Sequence, residues 1–242
     1  MNIYYFGRLG YSRSERKRGM MKDMKKLLFV SSGLGYLKEF VGRDPSELRM
    51  VFVPTAGNPD IDGNVWWIDK DREELAAQGF HYSELDIVGK KNFELEHALD
   101  SADVVYVAGG YTYYLLEQIR ATGFDAVLER FVARGGLYVG ASAGALVAGV
   151  DIAPVERLDD PEYGPTLVST KGLGFAPIVP MPHYDMSERT ADIDDIVQEY
   201  RGVYEVVPMK DDEAIIVDGT TWRKVASKRS ELELEWFHKN MH

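Results

Sequence analysis

From residue 27 to residue 148 the chain alternates short, unbroken apolar runs with longer segments of helical spacing, and few folds accommodate that alternation. Residues 27–31 (LLFVS), 50–54 (MVFVP), 84–88, 104–108 (VVYVA) and 136–139 read as strands. Helical segments separate them near 37–41, over 65–78 through Trp66, Ile68 and Leu75, and over 93–99, 111–121 and 124–133. Strands without polar alternation are buried on both faces, and strands that are each followed by a helix pair in parallel. The expected fold is therefore α/β in three layers: a mostly parallel sheet with helices on both faces. Ligands on such sheets sit at the carboxyl ends of the strands, where two glycine-rich turns fall, Gly109-Gly110 and Gly140-Ala141-Ser142-Ala143-Gly144. Strand-like runs at 178–181, 203–207, 214–217 and 222–226 and a helix at 188–200 follow, with no repeat or low-complexity linker. Residues 27–242 are read as one domain.

Charge is unevenly placed. Residues 1–26 hold eight Lys/Arg against Glu15 and Asp23, a net +6, so a chain of net charge −11 has a body of −17. The leader lacks the apolar stretch of a secretory signal and is expected to be a mobile basic extension. An acidic body argues against nucleic acid as partner. No apolar run reaches the roughly 20 residues of a membrane helix. A cytoplasmic protein, monomer or homodimer, is expected. The absence of cysteine excludes disulfides, thiolate metal sites and every cysteine nucleophile.

The segment 140–144 follows a strand and opens the apolar stretch Ala145-Leu146-Val147-Ala148. A serine at a sharp strand-to-helix turn has its hydroxyl lifted clear of the sheet, and its neighbours must be tiny because strand and helix pass closely there. A helix N-cap would also favour serine, but would not require small residues on both sides. Ser142 is the candidate nucleophile. It needs a base, and of the five histidines His238 and His242 lie in a charged tail, His97 on an amphipathic helix and His81 before an early strand. His183 stands at a strand end between Pro182 and Tyr184, on the edge where Ser142 is expected. For the acid, Asp211 and Asp212 are the best-placed pair; the chain order of α/β-hydrolases would instead point to Asp151, Asp159 or Asp160. His183 and Asp185 lack a third metal ligand, so no metal or other cofactor is expected.

Together these motifs resemble the dipeptidase E (aspartyl dipeptidase) and cyanophycinase family of serine peptidases, over roughly residues 27–217. Residues 107–116 (VAGGYTYYLL) resemble its G-G-N-T-x-x-L-L segment, 140–144 its serine elbow, Pro182-His183-Tyr184 its Pro-His-aromatic segment, and 210–215 (KDDEAI) its acid-bearing loop. The resemblance implies a class I glutamine-amidotransferase-like fold, in which the order is nucleophile, histidine, acid. It implies Ser142 as nucleophile, His183 as base and Asp211 as acid, with Asp212 an alternative because the family's acid is commonly Glu. It implies an oxyanion hole from the N–H groups of Gly110 and Ala143, and substrate contacts from Tyr111 and Thr112. Tyr111 replaces the usual Asn. Arg189 aligns with an arginine that holds the substrate's aspartate, though a solvated helix-face arginine would look the same. The implied activity is hydrolysis of small peptides, chiefly dipeptides with N-terminal Asp. Cyanophycinase-like or other amide or ester hydrolysis, and a silent binding protein, are the alternatives.

Overall fold

The computed structural model describes residues 25–60 and 63–240. The elements run β1 (Lys26–Val30), α1 (Leu37–Val41), β2 (Arg49–Val53), α2 (Trp66–Ala77), β3 (His81–Glu84), α3 (Asn92–Asp100), β4 (Val104–Val107), α4 (Thr112–Thr122), α5 (Phe124–Ala133), β5 (Leu137–Ala141) and α6 (Ala143–Ala148). After them come β6 (Val179–Met181), α7 (Ser187–Glu199), β7 (Val206–Pro208), β8 (Glu213–Asp218), β9 (Thr221–Ala226) and α8 (Glu231–Asn240). Residues 1–24 of the expected basic extension lie outside the described residues, and Lys26 already belongs to β1.

Seven strands form one mixed sheet in the order β3-β2-β4-β5-β1-β8-β9, the first five parallel and β8 and β9 antiparallel. Successive side chains of a strand point to opposite faces, and here both faces are apolar. Leu27 and Phe29, Val51 and Val53, Val105 and Val107 join the core under α3 to α6. Leu28 and Val30, Met50 and Phe52, Val104 and Tyr106 join the core under α1 and α2. The unbroken apolar runs are thus the central strands of a three-layer α/β fold. A separate pair, β6 and β7, lies parallel with Met181 opposite Pro208.

The strand expected at 84–88 lies instead at His81–Glu84. β3 is an edge strand with exposed or half-buried side chains, so it has no apolar run to reveal it. Leu85 and Ile87 are buried, but the Ile87 N–H donates to the Thr55 hydroxyl (3.1 Å) rather than to a neighbouring strand. The charged tail read after residue 226 contains helix α8, capped by the Ser230 hydroxyl, which accepts from the Glu233 N–H at 3.0 Å. The signal was present as Ser230-x-x-Glu233, the capping-box pattern. No helix among the described residues is long and apolar enough to cross a membrane.

α8 is docked by charge. Its one buried side chain is Glu233, which accepts from the Ser32 hydroxyl and lies 3.7 Å from Lys70 Nζ on α2. Lys70 also meets Asp71 at 3.0 Å, and Asp71 accepts from the buried Tyr106 hydroxyl at 2.8 Å. With Glu74, three buried carboxylates face one buried lysine. One oxygen each of Glu74 and Glu233 has no hydrogen-bond partner. Burial, together with the like charges of Glu233 and Asp71, lifts the Glu74 carboxyl to about 7, against the pull of Lys70 and Ser230. A carboxyl whose folded pKa is raised stabilises fully below its unfolded value and loses that contribution as pH rises through the folded value. Glu74→Gln is therefore expected to change stability little at pH 5. At pH 8.5 it should stabilise by roughly 2–3 kcal/mol, read as a shift in urea midpoint. Equal destabilisation at both values would contradict this assignment.

Candidate active site

The carboxyl ends of β1, β4 and β5 meet where three loops converge. Ser142 follows β5 directly, at φ 46° and ψ −108°. Of the described non-glycine residues, Ser142 and His183 (φ 63°) alone have positive φ, a conformation that persists only where the surroundings enforce it. At Ser142 the enforcement is close packing: a Cβ on Gly144 would meet the Val107 carbonyl oxygen at 2.1 Å, and one on Gly140 the Gly144 carbonyl at 2.4 Å. All six residues of α6 are buried. This is the physical content of the small-residue pattern around the serine.

His183 and Asp211 come from the minor sheet. β6 and β7 end in register, and His183 and Asp211 lie two and three residues beyond those ends. The Met209 N–H donates to the Met181 carbonyl (2.7 Å), and the Tyr184 N–H to the Met209 carbonyl (2.9 Å), binding the two loops together. His183 Nε2 lies 2.9 Å from Ser142 Oγ, and His183 Nδ1 lies 2.8 Å from Asp211 Oδ1. A carboxylate only accepts, so Nδ1 carries the ring proton and Nε2 accepts from the serine hydroxyl. Asp211 is buried whereas Asp212 is exposed, which leaves Asp211 alone against the imidazole. Burial pushes the Asp211 carboxyl up. The hydrogen bond and charge of His183, the Ser31 hydroxyl and the charge of Arg229 outweigh burial and hold it below the usual carboxylate range.

Ser31, buried at the end of β1, is a residue the sequence did not single out. Its hydroxyl donates to Asp211 Oδ1 at 2.8 Å and accepts from the His183 N–H at 2.8 Å. It fixes acid and base in one contact. A serine closing an apolar strand carries no pattern that would reveal this. Asp185 adds a second brace, accepting from the Asp211 N–H at 2.9 Å.

The Gly109-Gly110 turn passes beside Ser142: a Cβ on Gly109 would stand 3.1 Å from the Ser142 Cβ. Gly110 has φ +141°, and a Cβ there would meet the Ala56 carbonyl oxygen at 2.3 Å, so only glycine fits. Ala143 opens α6, where helix N–H groups lack internal partners. Tyr111 packs against Tyr163 with ring centroids 4.2 Å apart. Thr112 is buried, and its N–H donates to Asp159 Oδ2 at 2.6 Å, so Asp159 caps α4 from another loop.

Two cavities meet at Ser142 and His183. One, of about 330 Å3, is lined by Tyr111, Thr112, Asp159, Asp160 and Arg189. The other, of about 250 Å3, is lined by Trp66, Trp67, Met186, Arg189 and Phe237 together with Ser31, Ser32, Lys70, Asp71 and Asp211. Arg189, in the first turn of α7, is half-buried and faces both. Its guanidinium has no hydrogen-bonded or ion-paired partner among the described residues. It lies close enough to Asp159 to oppose the rise that burial imposes on that carboxyl. Asp151 is engaged by Lys171 and Tyr204 instead. His81, His97 and His238 line neither cavity, and His242 lies outside the described residues. No group of three or more His, Cys, Asp or Glu among the described residues is placed to hold a metal.

Residues 26–225 match the model of the family described as peptidase family S51. An uncharacterized peptidase of Listeria monocytogenes is 29% identical over 207 residues, 84% of this chain and 98% of its own length. Peptidase E of Streptomyces coelicolor is 33% identical over 170 residues, 66% of this chain and 64% of its own. The crystal structure of a peptidase E candidate from Listeria monocytogenes superposes with a TM-score of 0.77 at 27% identity, covering 85% of this chain and 100% of that one.

The elbow packing generates a stability test. Gly144→Ala forces a methyl against the Val107 carbonyl and is expected to cost about 3 kcal/mol, as overpacking of a closed core does. It would be read from the urea midpoint. An unchanged midpoint would mean that α6 can move away from β4 at little cost.

Proposed function

The chain belongs to peptidase family S51, and from that membership we propose that it is a serine-type exopeptidase hydrolysing short peptides, chiefly dipeptides with an N-terminal aspartate. The observation that carries the serine mechanism is the continuous contact from Ser142 Oγ through the His183 ring to Asp211, at 2.9 and 2.8 Å. Ser142 Oγ attacks the scissile carbonyl carbon while its proton passes to His183 Nε2. The ionised Asp211 carboxylate steadies the imidazolium through Nδ1–H. The carbonyl oxygen, now negative, takes hydrogen bonds from the N–H groups of Gly110 and Ala143, where one donor is worth ~3 kcal/mol. Collapse breaks the C–N bond, and His183 returns its proton to the departing amine. Water then repeats the sequence on the acyl-enzyme.

Arg189 supports the aspartyl preference. An unpaired, half-buried guanidinium in the cavity binds a carboxylate through charge-assisted, bidentate hydrogen bonds that an amide cannot match. Asp159 and Asp160 in the same cavity suit the free ammonium of an N-terminal residue.

Two experiments test this. Ser142→Ala and His183→Ala should each lower kcat/KM by about four to six orders of magnitude, because such groups act as a unit. The unaltered enzyme should take a fluorophosphonate label at Ser142. Near-normal turnover in Ser142→Ala would remove the serine mechanism. Arg189→Met should lower kcat/KM for Asp-Leu about a hundredfold while leaving Asn-Leu and Ala-Leu within about threefold. Equal turnover of all three by the unaltered enzyme would remove the aspartyl preference and leave the serine chemistry standing.

A further inference from the structure

We propose that the cavity between α2 and α8 receives the residue on the leaving side of the scissile bond and selects a large apolar side chain, with Phe237 as its specificity-determining wall. This rests on the reading above, in which the opposite cavity takes the charged N-terminal residue.

The two cavities differ in chemistry. Arg189 borders both; in the first it stands with Asp159 and Asp160, groups matched to a carboxylate and an ammonium. The second also touches Lys70, Asp71 and Asp211, but Lys70 and Asp71 pair with each other at 3.0 Å and Asp211 is held by His183 and Ser31, which leaves Trp66, Trp67, Met186 and Phe237 as the surface open to a side chain. A peptide whose scissile carbonyl sits at Ser142 places one residue in each, so the leaving residue meets the aromatic walls. All four side chains are half-buried: each packs on one side and keeps apolar surface that a bound leucine or phenylalanine side chain would remove from water.

The walls are held rigidly, as discrimination requires. The Trp67 indole N–H donates to the Gly109 carbonyl at 3.2 Å, tying the wall to the oxyanion turn. Trp66 stands edge-on to Trp67 at 84°. Phe237 is carried by α8, which Glu233 and Lys70 fix from within, while the Trp236 indole N–H donates to Glu73 at 3.0 Å. The Arg229 guanidinium lies over the Phe237 ring, 5.7 Å from its centre. The family match ends at residue 225 and α8 begins at Glu231, so this wall is added to the site from outside the matched peptidase core.

The test is kcat/KM for Asp-Leu, Asp-Phe and Asp-Gly, with Ala-Leu and Ala-Gly as a second series, in the unaltered enzyme and in Phe237→Ala and Phe237→Leu. The unaltered enzyme should favour Leu and Phe over Gly by about tenfold or more, the scale that apolar pocket contacts supply. Phe237→Ala should lower the Leu-to-Gly ratio about threefold or more, with the remainder supplied by Trp66, Trp67 and Met186, and Phe237→Leu should lower it less. Fluorophosphonate labelling of Ser142 reports that the variants retain the catalytic centre. An unaltered enzyme without apolar preference, or a Phe237→Ala enzyme with an unchanged Leu-to-Gly ratio, would overturn the assignment. Failure of the aspartyl reading shows separately, as equal rates for Asp-Gly and Ala-Gly, with the Leu-to-Gly ratio still readable in either series.

Discussion

The tight passage of α6 across β4 is the constraint on which the rest of the site depends. Without a side chain at Gly144 the helix can press onto the Val107 carbonyl, and only then does β5 turn sharply enough to hold Ser142 at positive φ. Such a residue costs of order 1–3 kcal/mol, and the complete burial of α6 offsets it. The same closeness brings the Ala143 N–H and the Gly109-Gly110 turn to the serine. Ser142, the start of α6 and the Gly109-Gly110 turn are thus brought together by one packing event.

His183 and Asp211 are delivered independently, by the short pair β6 and β7, and one hydroxyl at the carboxyl edge of the main sheet touches both. Ser31 directly follows β1, the strand between β5 and β8, and it bonds both the His183 backbone and the Asp211 carboxylate. The main sheet therefore sets where the serine stands, the minor sheet sets how far acid lies from base, and Ser31 sets one relative to the other. Burial alone would push the Asp211 carboxyl up; the convergence of His183, Ser31 and Arg229 outweighs it and holds the group below the usual carboxylate range.

The legibility of these parts in the sequence follows how local their causes are. Central strands were readable because burial on both faces leaves no polar alternation, as in 27–31 and 104–108. Ser142 was readable because the close approach demands small neighbours that adjoin it in sequence. His183 was readable because it closes an apolar run on the edge where Ser142 was expected, and the resemblance to a known family pointed to the same pair. β3 was displaced because its side chains face solvent while the apolar Leu85 and Ile87 just beyond it serve the core from a loop. Asp212 stayed an alternative to Asp211, since adjacent residues differ only in the face that the turn into β8 gives them. Ser31 and Glu233 act through partners more than 150 residues away, and no local pattern reports such contacts.

The manner in which α8 is attached has a consequence for how this site can diverge. A helix held by an apolar face shares its core with the sheet, and altering it disturbs the strands beneath. α8 instead rests on one buried carboxylate, held by Lys70 and Ser32, and on the Trp236 indole bonded to Glu73, contacts that do not touch Ser142, His183 or Asp211. Removing Glu233 or Lys70 alone is costly because it leaves buried charge uncompensated, but the other side chains of α8 are not buried. Changes to this helix can accumulate without crossing a state in which the chemistry is lost. The site is thereby divided into a part that inheritance must conserve and a wall that it is free to redraw.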